Sequence, residues 1–509
     1  MKETMTNPPS PEKVREEIAE FLKSKYGNAV AVADVDLNIP HEGTETSHNS
    51  SLDQIDFQLK PTELEAYLQQ YVLHQTEAVE ILATKICTHY HRRKWEMDHP
   101  DRETAVGRIK SNILMIGPTG VGKTYLVKLI ADKIGVPFVK GDATKFSETG
   151  YVGGDVEDLV RSLVREAKGD ISLAEYGIIY VDEIDKIASS GSMYGPDVSR
   201  SGVQRALLKL MEDTEVDLRT PHDLASQMEA VIETQRTGKA ERKKVSTKNM
   251  LFIVSGAFGG LAEIIRRRLA RGAMGFRRAE EIPVVDEEVI TRVTTGDFLE
   301  YGFESEFVGR LPVVAQLREL SETALFDVLK NPHSAVARGK KQDFAAYGVD
   351  LNFDDDSLRE VARRAHFAGI GARGLTSVLE RSLMRFEKLL PTSSVRKLTV
   401  TRDLIVHPEK VAQELLTKDA VTQFQRKFLE RSSLILEFTP ETYPWIQEHF
   451  GSDLAHITDL LMQMFQNYEY GMKLAGLTNL RITPEILASP DAFLDQMIKT
   501  VYKAKDDEA

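Results

Sequence analysis

The sequence predicts an α/β protein in which a parallel sheet is sandwiched by helices, followed by a small, mainly helical domain and helical extensions. Between Ser111 and Ser255 short β-rich runs (NILMIG, PFVKGD, GIIYVDE, NMLFIVS) alternate with helix-period stretches, as when parallel strands are joined by helical crossovers. The runs are apolar with little alternation, which fits strands buried on both faces. A glycine-rich turn ending in Lys123-Thr124 lies between the first run and the helix after it.

In chain order, residues 11 to 27 carry apolar groups at helical spacing after a proline, and LNIPHEGTETSHNSS is polar and patternless, so a short helical unit on a flexible linker is expected over 1–58. From Lys60 to about Arg93 the apolar spacing is helical, and Pro61-Thr62 has the form of a helix start. The large α/β domain is expected over 59–316. A second helical set runs from about Ser321 to Lys388, and the strand KLTVT closes a small helical lid over 317–408. Residues 409–509 are expected to form a helical extension, and no internal repeat is expected. At 509 residues the chain is too long for one core, which is consistent with several units.

A net charge of −13 argues against general affinity for nucleic acid, because that affinity needs clustered Lys and Arg. The basic runs Arg236 to Lys244 and Arg266 to Arg278 are read as solvated faces. No apolar window is long enough for a membrane span, and the start MKETMTNPPSPEK lacks a secretion signal, so a cytoplasmic protein is expected. The single cysteine, Cys87, excludes an internal disulfide and a four-cysteine zinc site, so no structural zinc is expected. Cys87, His89 and His91 do not share one helix face and are expected to bind no metal.

Gly117-Pro118-Thr119-Gly120-Val121-Gly122-Lys123-Thr124 is a complete phosphate-binding loop in its strand-to-helix context. Glycines let backbone N–H groups curl around phosphates, the helix start adds positive potential, Lys123 adds a charge and the Thr124 hydroxyl reaches Mg²⁺. Tyr125, next in the sequence, is expected among the nucleotide-binding residues. Ile178-Ile-Tyr-Val-Asp182-Glu183 is an apolar strand ending in two carboxylates. In a parallel sheet that end faces the same crevice, so Asp182 is expected in the Mg²⁺ shell and Glu183 beside the attacking water. A nucleotide-binding scaffold has no need of Glu183, whereas a hydrolase does.

These segments, with Thr149-Gly150-Tyr151-Val152-Gly153 and Asp182-Glu183-Ile184-Asp185-Lys186-Ile187, resemble the ClpX and HslU branch of the AAA+ unfoldases over about residues 60 to 408. The resemblance implies a hexameric ring ATPase that threads protein substrates through its pore. It implies that Val72 and Leu73 pack around adenine, with His74 in place of the usual glycine, and that Tyr151 and Val152 grip substrate in the pore. A second pore loop is implied near Ser190 to Ser199. Ser255 takes the sensor-1 place, Arg310 that of the arginine finger acting on a neighbouring subunit, and Arg373 that of sensor 2. Met274-Gly275-Phe276 sits where ClpX-like proteins dock a ClpP-like peptidase, although arginines replace the usual glycines around it.

The cysteine-built zinc domain of ClpX has no counterpart, and only about two dozen residues stand where HslU carries its inserted domain, so the architecture is nearer ClpX. No G-x-S-x-G or H-E-x-x-H motif is present, so no intrinsic protease activity is expected. The alternatives are a stand-alone remodelling chaperone without a peptidase and a ring ATPase that remodels nucleic acid.

Overall fold

The computed structural model describes residues 52–100, 110–147, 154–188, 198–218, 244–272, 285–450 and 454–507. Its strands are β1 (Ile113–Ile116), β2 (Phe138–Asp142), β3 (Ile178–Asp182), β4 (Glu215–Asp217), β5 (Lys244–Ser246), β6 (Leu251–Gly256), β7 (Val313–Gln316), β8 (Asp350–Phe353), β9 (Lys397–Val400), β10 (Ile435–Phe438) and β11 (Asn479–Ile482). Five of them form one parallel sheet in the order β2-β3-β6-β1-β7. The four apolar runs became β1, β2, β3 and β6. β1 and β6 are buried along their whole length, as the absence of polar alternation requires. Because all five strands run the same way, the segments after β1, β3 and β6 emerge on one edge of the sheet.

The helix after the glycine loop, Lys123–Ile134, buries Leu126, Val127, Ile130, Ala131 and Ile134. These residues repeat every three to four positions, so one stripe faces the sheet. The helix stops at Gly135, whose φ of +83° suits a residue without Cβ; a Cβ there would lie 2.3 Å from the carbonyl oxygen of Gln54. That contact moves the domain boundary. Ile55 and Phe57 are buried, the Asp56 amide donates to the Ile134 carbonyl at 2.8 Å, and Phe57 meets Tyr176 edge-to-face. The large domain therefore includes residues 52–58, which the sequence had assigned to a linker.

The expected helix from Lys60 to Arg93 is two helices, Pro61–Gln69 and Thr76–Asp98, separated by the Val72–His74 segment. The lid contains the helices Glu322–Lys330, Ala335–Ala346, Asp355–Phe367 and Ala372–Leu389 and the parallel pair β8–β9. Its core is continuous with that of the large domain. The C-terminal extension has a separate apolar core and is not purely helical, for β10 and β11 form a second two-stranded parallel sheet. These strands were missed because each is four residues long and half exposed, too short for periodicity to register. Among the described residues, no helix is long and apolar enough to cross a membrane.

Candidate functional site

The glycine loop turns at the end of β1 through Gly120 and Gly122, with φ of +82° and +95°. Both are conformations that side chains disfavour and glycine accepts. Lys123 and Thr124 then open the helix with free backbone N–H groups ahead of them, which is an anion-binding arrangement. The loop borders a cavity of about 360 Å³, whose walls include Thr119, Gly120, Gly122, Lys123, Thr124, Tyr125, Asp182, Glu183, Arg373 and Thr376. That is enough room for a small ligand. A wider cleft of about 830 Å³ shares Glu183, Asp185 and Lys186 with it.

Asp182 ends β3 at the centre of a polar network. Its Oδ1 accepts from the Ser255 hydroxyl at 2.7 Å and from the Glu183 amide at 3.1 Å. Its Oδ2 accepts from Lys140 Nζ at 2.8 Å and lies 3.5 Å from the Thr124 hydroxyl. Burial raises the Asp182 pKa, but the hydrogen bonds from Lys140 and Ser255 outweigh that, and the carboxyl stays below its usual range. Tyr180 OH lies 2.6 Å from Ser255 Oγ and is held neutral by burial. Lys123 is shifted the other way: burial lowers its pKa, and Asp182 and Asp185 partly restore it.

Glu183 is exposed, lines the cavity and has φ of +58°, a left-handed conformation uncommon for a residue with a side chain. Asp185 is buried against Gly256, where a Cβ would come within 2.5 Å of its carboxylate.

The lid reaches the same cavity. Gly120 and Gly371 meet backbone to backbone: a Cβ on Gly120 would sit 2.1 Å from the Ile370 carbonyl oxygen, and the Ala372 amide donates to the Gly120 carbonyl at 2.9 Å. Arg373 follows in the first turn of its helix and lines the cavity wall. Arg310 is not among the lining residues; it caps the helix Ser305–Gly309 and pairs with Glu212 at 2.7 Å. Val72 is buried in the core and Leu73 half-buried, and neither lines the cavity. His74 has φ of +60°, a left-handed conformation that favours glycine, and its Nε2 lies 2.8 Å from Asp327 of the lid.

Gly117, Pro118 and Val121 complete the loop, and Lys123 Nζ donates to the carbonyls of Gly117 and Pro118. Tyr151, Val152, Met274, Gly275 and Phe276 lie outside the described residues, as does most of the segment near Ser190 to Ser199. Among the described residues there is no cluster of three or more potential metal ligands. His89 bonds the Asn249 carbonyl and His91 that of Leu59.

Lys140 and Tyr180 joined the network without a sequence signal. They are partners in the β2–β3 register, and only that pairing brings an ordinary strand lysine over Asp182.

Sheet order, phosphate loop and paired carboxylates together define an ATPase built on a AAA domain. The model of the AAA domain (Cdc48 subfamily) matches residues 108–314. The ATP-dependent Clp protease ATP-binding subunit ClpX 3 of Methylococcus capsulatus is 36% identical over 405 residues, which is 76% of this chain and 85% of that protein. The ClpX of Borrelia duttonii is 37% identical over 350 residues, 68% of this chain and 78% of its own. That of Treponema denticola is 37% identical over 330 residues, 64% and 75% of the two chains. The chain belongs to the ClpX family.

Proposed function

We propose that the protein is the motor of a homo-hexameric unfoldase of the cytoplasm, which draws protein substrates through a ring pore and delivers them to a ClpP-like peptidase. The observation that carries this is Glu183, held in a left-handed conformation on the wall that Lys123, Thr124, Asp182 and Arg373 share. The names of the relatives, ATP-binding subunits of Clp proteases, support the peptidase partnership.

The cavity residues fit magnesium-bound ATP: positive-φ glycines leave room for phosphates, Lys123 is cationic, and Thr124 and Asp182 are oxygen ligands of the hard type Mg²⁺ takes. When bound, the nucleotide supplies the phosphorus that water attacks. Glu183 orients that water and accepts its proton, while Ser255 and Lys140 hold Asp182 charged and in place. Arg310, outside its own cavity wall, acts on the site of the adjacent subunit, where an arginine stabilises developing charge. Arg373 ties the state of the cavity to the lid, so turnover rotates lid against large domain. Tyr151 and Val152 then push substrate, an aromatic and an aliphatic group between glycines contacting any sequence.

The test is ATP-driven unfolding of a tagged folded protein, with and without ClpP-type peptidase. Tyr151→Ala is expected to stop unfolding while ATP turnover persists, and unaltered unfolding refutes the pore assignment. Phe276→Ala is expected to abolish coupled degradation alone; degradation that survives it, or that never occurs, points to a stand-alone chaperone.

A further inference from the structure

The C-terminal extension repeats the lid. In the lid, β8 pairs with β9 so that Leu351 faces Leu398 and Phe353 faces Val400; in the extension, β10 pairs with β11 so that Leu436 faces Leu480 and Phe438 faces Ile482. The hydrogen bonds that frame the pairs recur. Asp354 N–H donates to Val400 O at 3.1 Å and Thr439 N–H to Ile482 O at 3.0 Å, while Asp350 to Arg396 at 2.9 Å is matched by Ile435 to Thr478 at 3.0 Å. After each second strand comes a threonine, Thr401 or Thr483, a five-residue helix, and a proline, Pro408 or Pro490, that opens a long helix. Ahead of each first strand the chain turns through a left-handed residue, Gly348 or Ser433, with φ of +74° and +59°.

The buried core positions agree as well, although the lid's lie on one helix, Ala372–Leu389, and those of the extension run from the helix Leu454–Met464 through a turn to the start of Tyr468–Leu474. Leu375, Leu379, Leu383 and Phe386 of the lid correspond at one constant offset to Ile457, Leu461, Phe465 and Tyr468, and all eight are buried. The same offset sets Ala455 opposite Arg373. At that position the second unit therefore lacks the arginine that lines the cavity.

One helix, Pro408–Ser432, ends the first unit and begins the second. Val411, Ala412 and Leu415 pack in the lid core, and Ala420, Val421, Phe424 and Phe428 in the second core. Between them Asp419 is buried and accepts hydrogen bonds from the Ser394 amide at 3.1 Å, the Ser394 hydroxyl and Gln423 at 2.8 Å, which pins the helix to the lid turn before β9. No glycine or proline interrupts the helix after Pro408.

We propose that the extension is a second lid-type unit that does not contact nucleotide and is mounted rigidly on the first, so that it swings as an arm whenever the lid turns. This rests on the lid rotation proposed above. The shared helix of 25 residues is about 37 Å long, so a lid rotation of about 10° moves its far end by about 6 Å.

The experiment is pairwise spin-label distance measurement in the full chain. Labels go on exposed sites of the lid (Arg381→Cys), the second unit (Lys499→Cys) and the large domain (Lys128→Cys); the native Cys87 is buried and its thiol pushed up to about 11 by that burial, so it stays unlabelled. The lid-to-unit distance is expected to be narrow and the same with ADP and a non-hydrolysable ATP analogue, while large-domain-to-unit distances shift by several ångströms. A lid-to-unit distance that is broad or changes with nucleotide overturns the rigid mount however the lid behaves. A constant Lys128-to-Arg381 distance refutes lid rotation instead, the mount being judged on the lid-to-unit pair alone. Lys418→Gly with Thr422→Gly, both on the exposed side of the shared helix, is expected to broaden the lid-to-unit distance. An unchanged distribution in that variant also overturns the helix as the mount.

Discussion

Replacing Ser255 by alanine removes one hydroxyl from the centre of the site. That hydroxyl donates to Asp182 Oδ1 at 2.7 Å and lies 2.6 Å from Tyr180 OH, and Ser255 is fully buried. A hydrogen bond to a charged group contributes about 1.5–3 kcal/mol, so a loss of about 2 kcal/mol is expected. For a domain of this size that lowers the melting temperature by about 4–8 °C.

The change has a pH signature. Asp182 titrates below its ordinary range in the folded protein, so its contribution is present at neutral pH and is lost as pH falls through the folded value. The gap between wild type and Ser255→Ala should therefore be full near pH 7.5 and close in acid. Mg²⁺-dependent nucleotide binding, followed with a fluorescent ATP analogue, should weaken in parallel. A variant with the wild-type melting temperature at pH 7.5 and unaltered Mg²⁺ dependence refutes the role given to this network.

Gly120→Ala places a Cβ 2.1 Å from the Ile370 carbonyl oxygen at φ of +82°, whereas Gly122 has a similar φ but open space around it. The left-handed backbone costs each alanine about 1–2 kcal/mol, so calorimetry without nucleotide should find Gly120→Ala the less stable, because it alone also forces the lid away. Equal stabilities contradict the interlock. His89 is buried and its pKa is lowered to about 3, chiefly by burial. Between that value and 6.5 the unfolded chain binds a proton that the folded chain does not, so stability falls as pH drops through this window, by about 2 kcal/mol at pH 5. His89→Gln should flatten the pH dependence of melting between pH 7.5 and pH 5.

The legible parts of this protein are those written in contiguous residues. The strands β1, β3 and β6 showed themselves as apolar runs because both faces are covered, β2 at the sheet edge only through Phe138 and Val139 at its start, and the loop from Gly117 to Thr124 because its chemistry is local. β7 was hidden: it lies at the sheet edge, alternates in burial and follows directly on Pro312. The place of Lys140 above Asp182 depends on the pairing of β2 with β3, and strand register is a tertiary fact. The repeated lid escaped because its two copies share burial and hydrogen bonding, with few identities such as Phe353 and Phe438, or Pro408 and Pro490.

Glu183→Gln keeps the size and hydrogen-bonding reach of the side chain and removes its basicity. With this variant, ATP turnover and unfolding of a tagged folded substrate should be followed together, alongside nucleotide binding. The expected result is binding near wild type, turnover lower by at least about a hundredfold, and no unfolding. Turnover at the wild-type rate, or unfolding that continues without turnover, contradicts the coupling of hydrolysis at Glu183 to mechanical work.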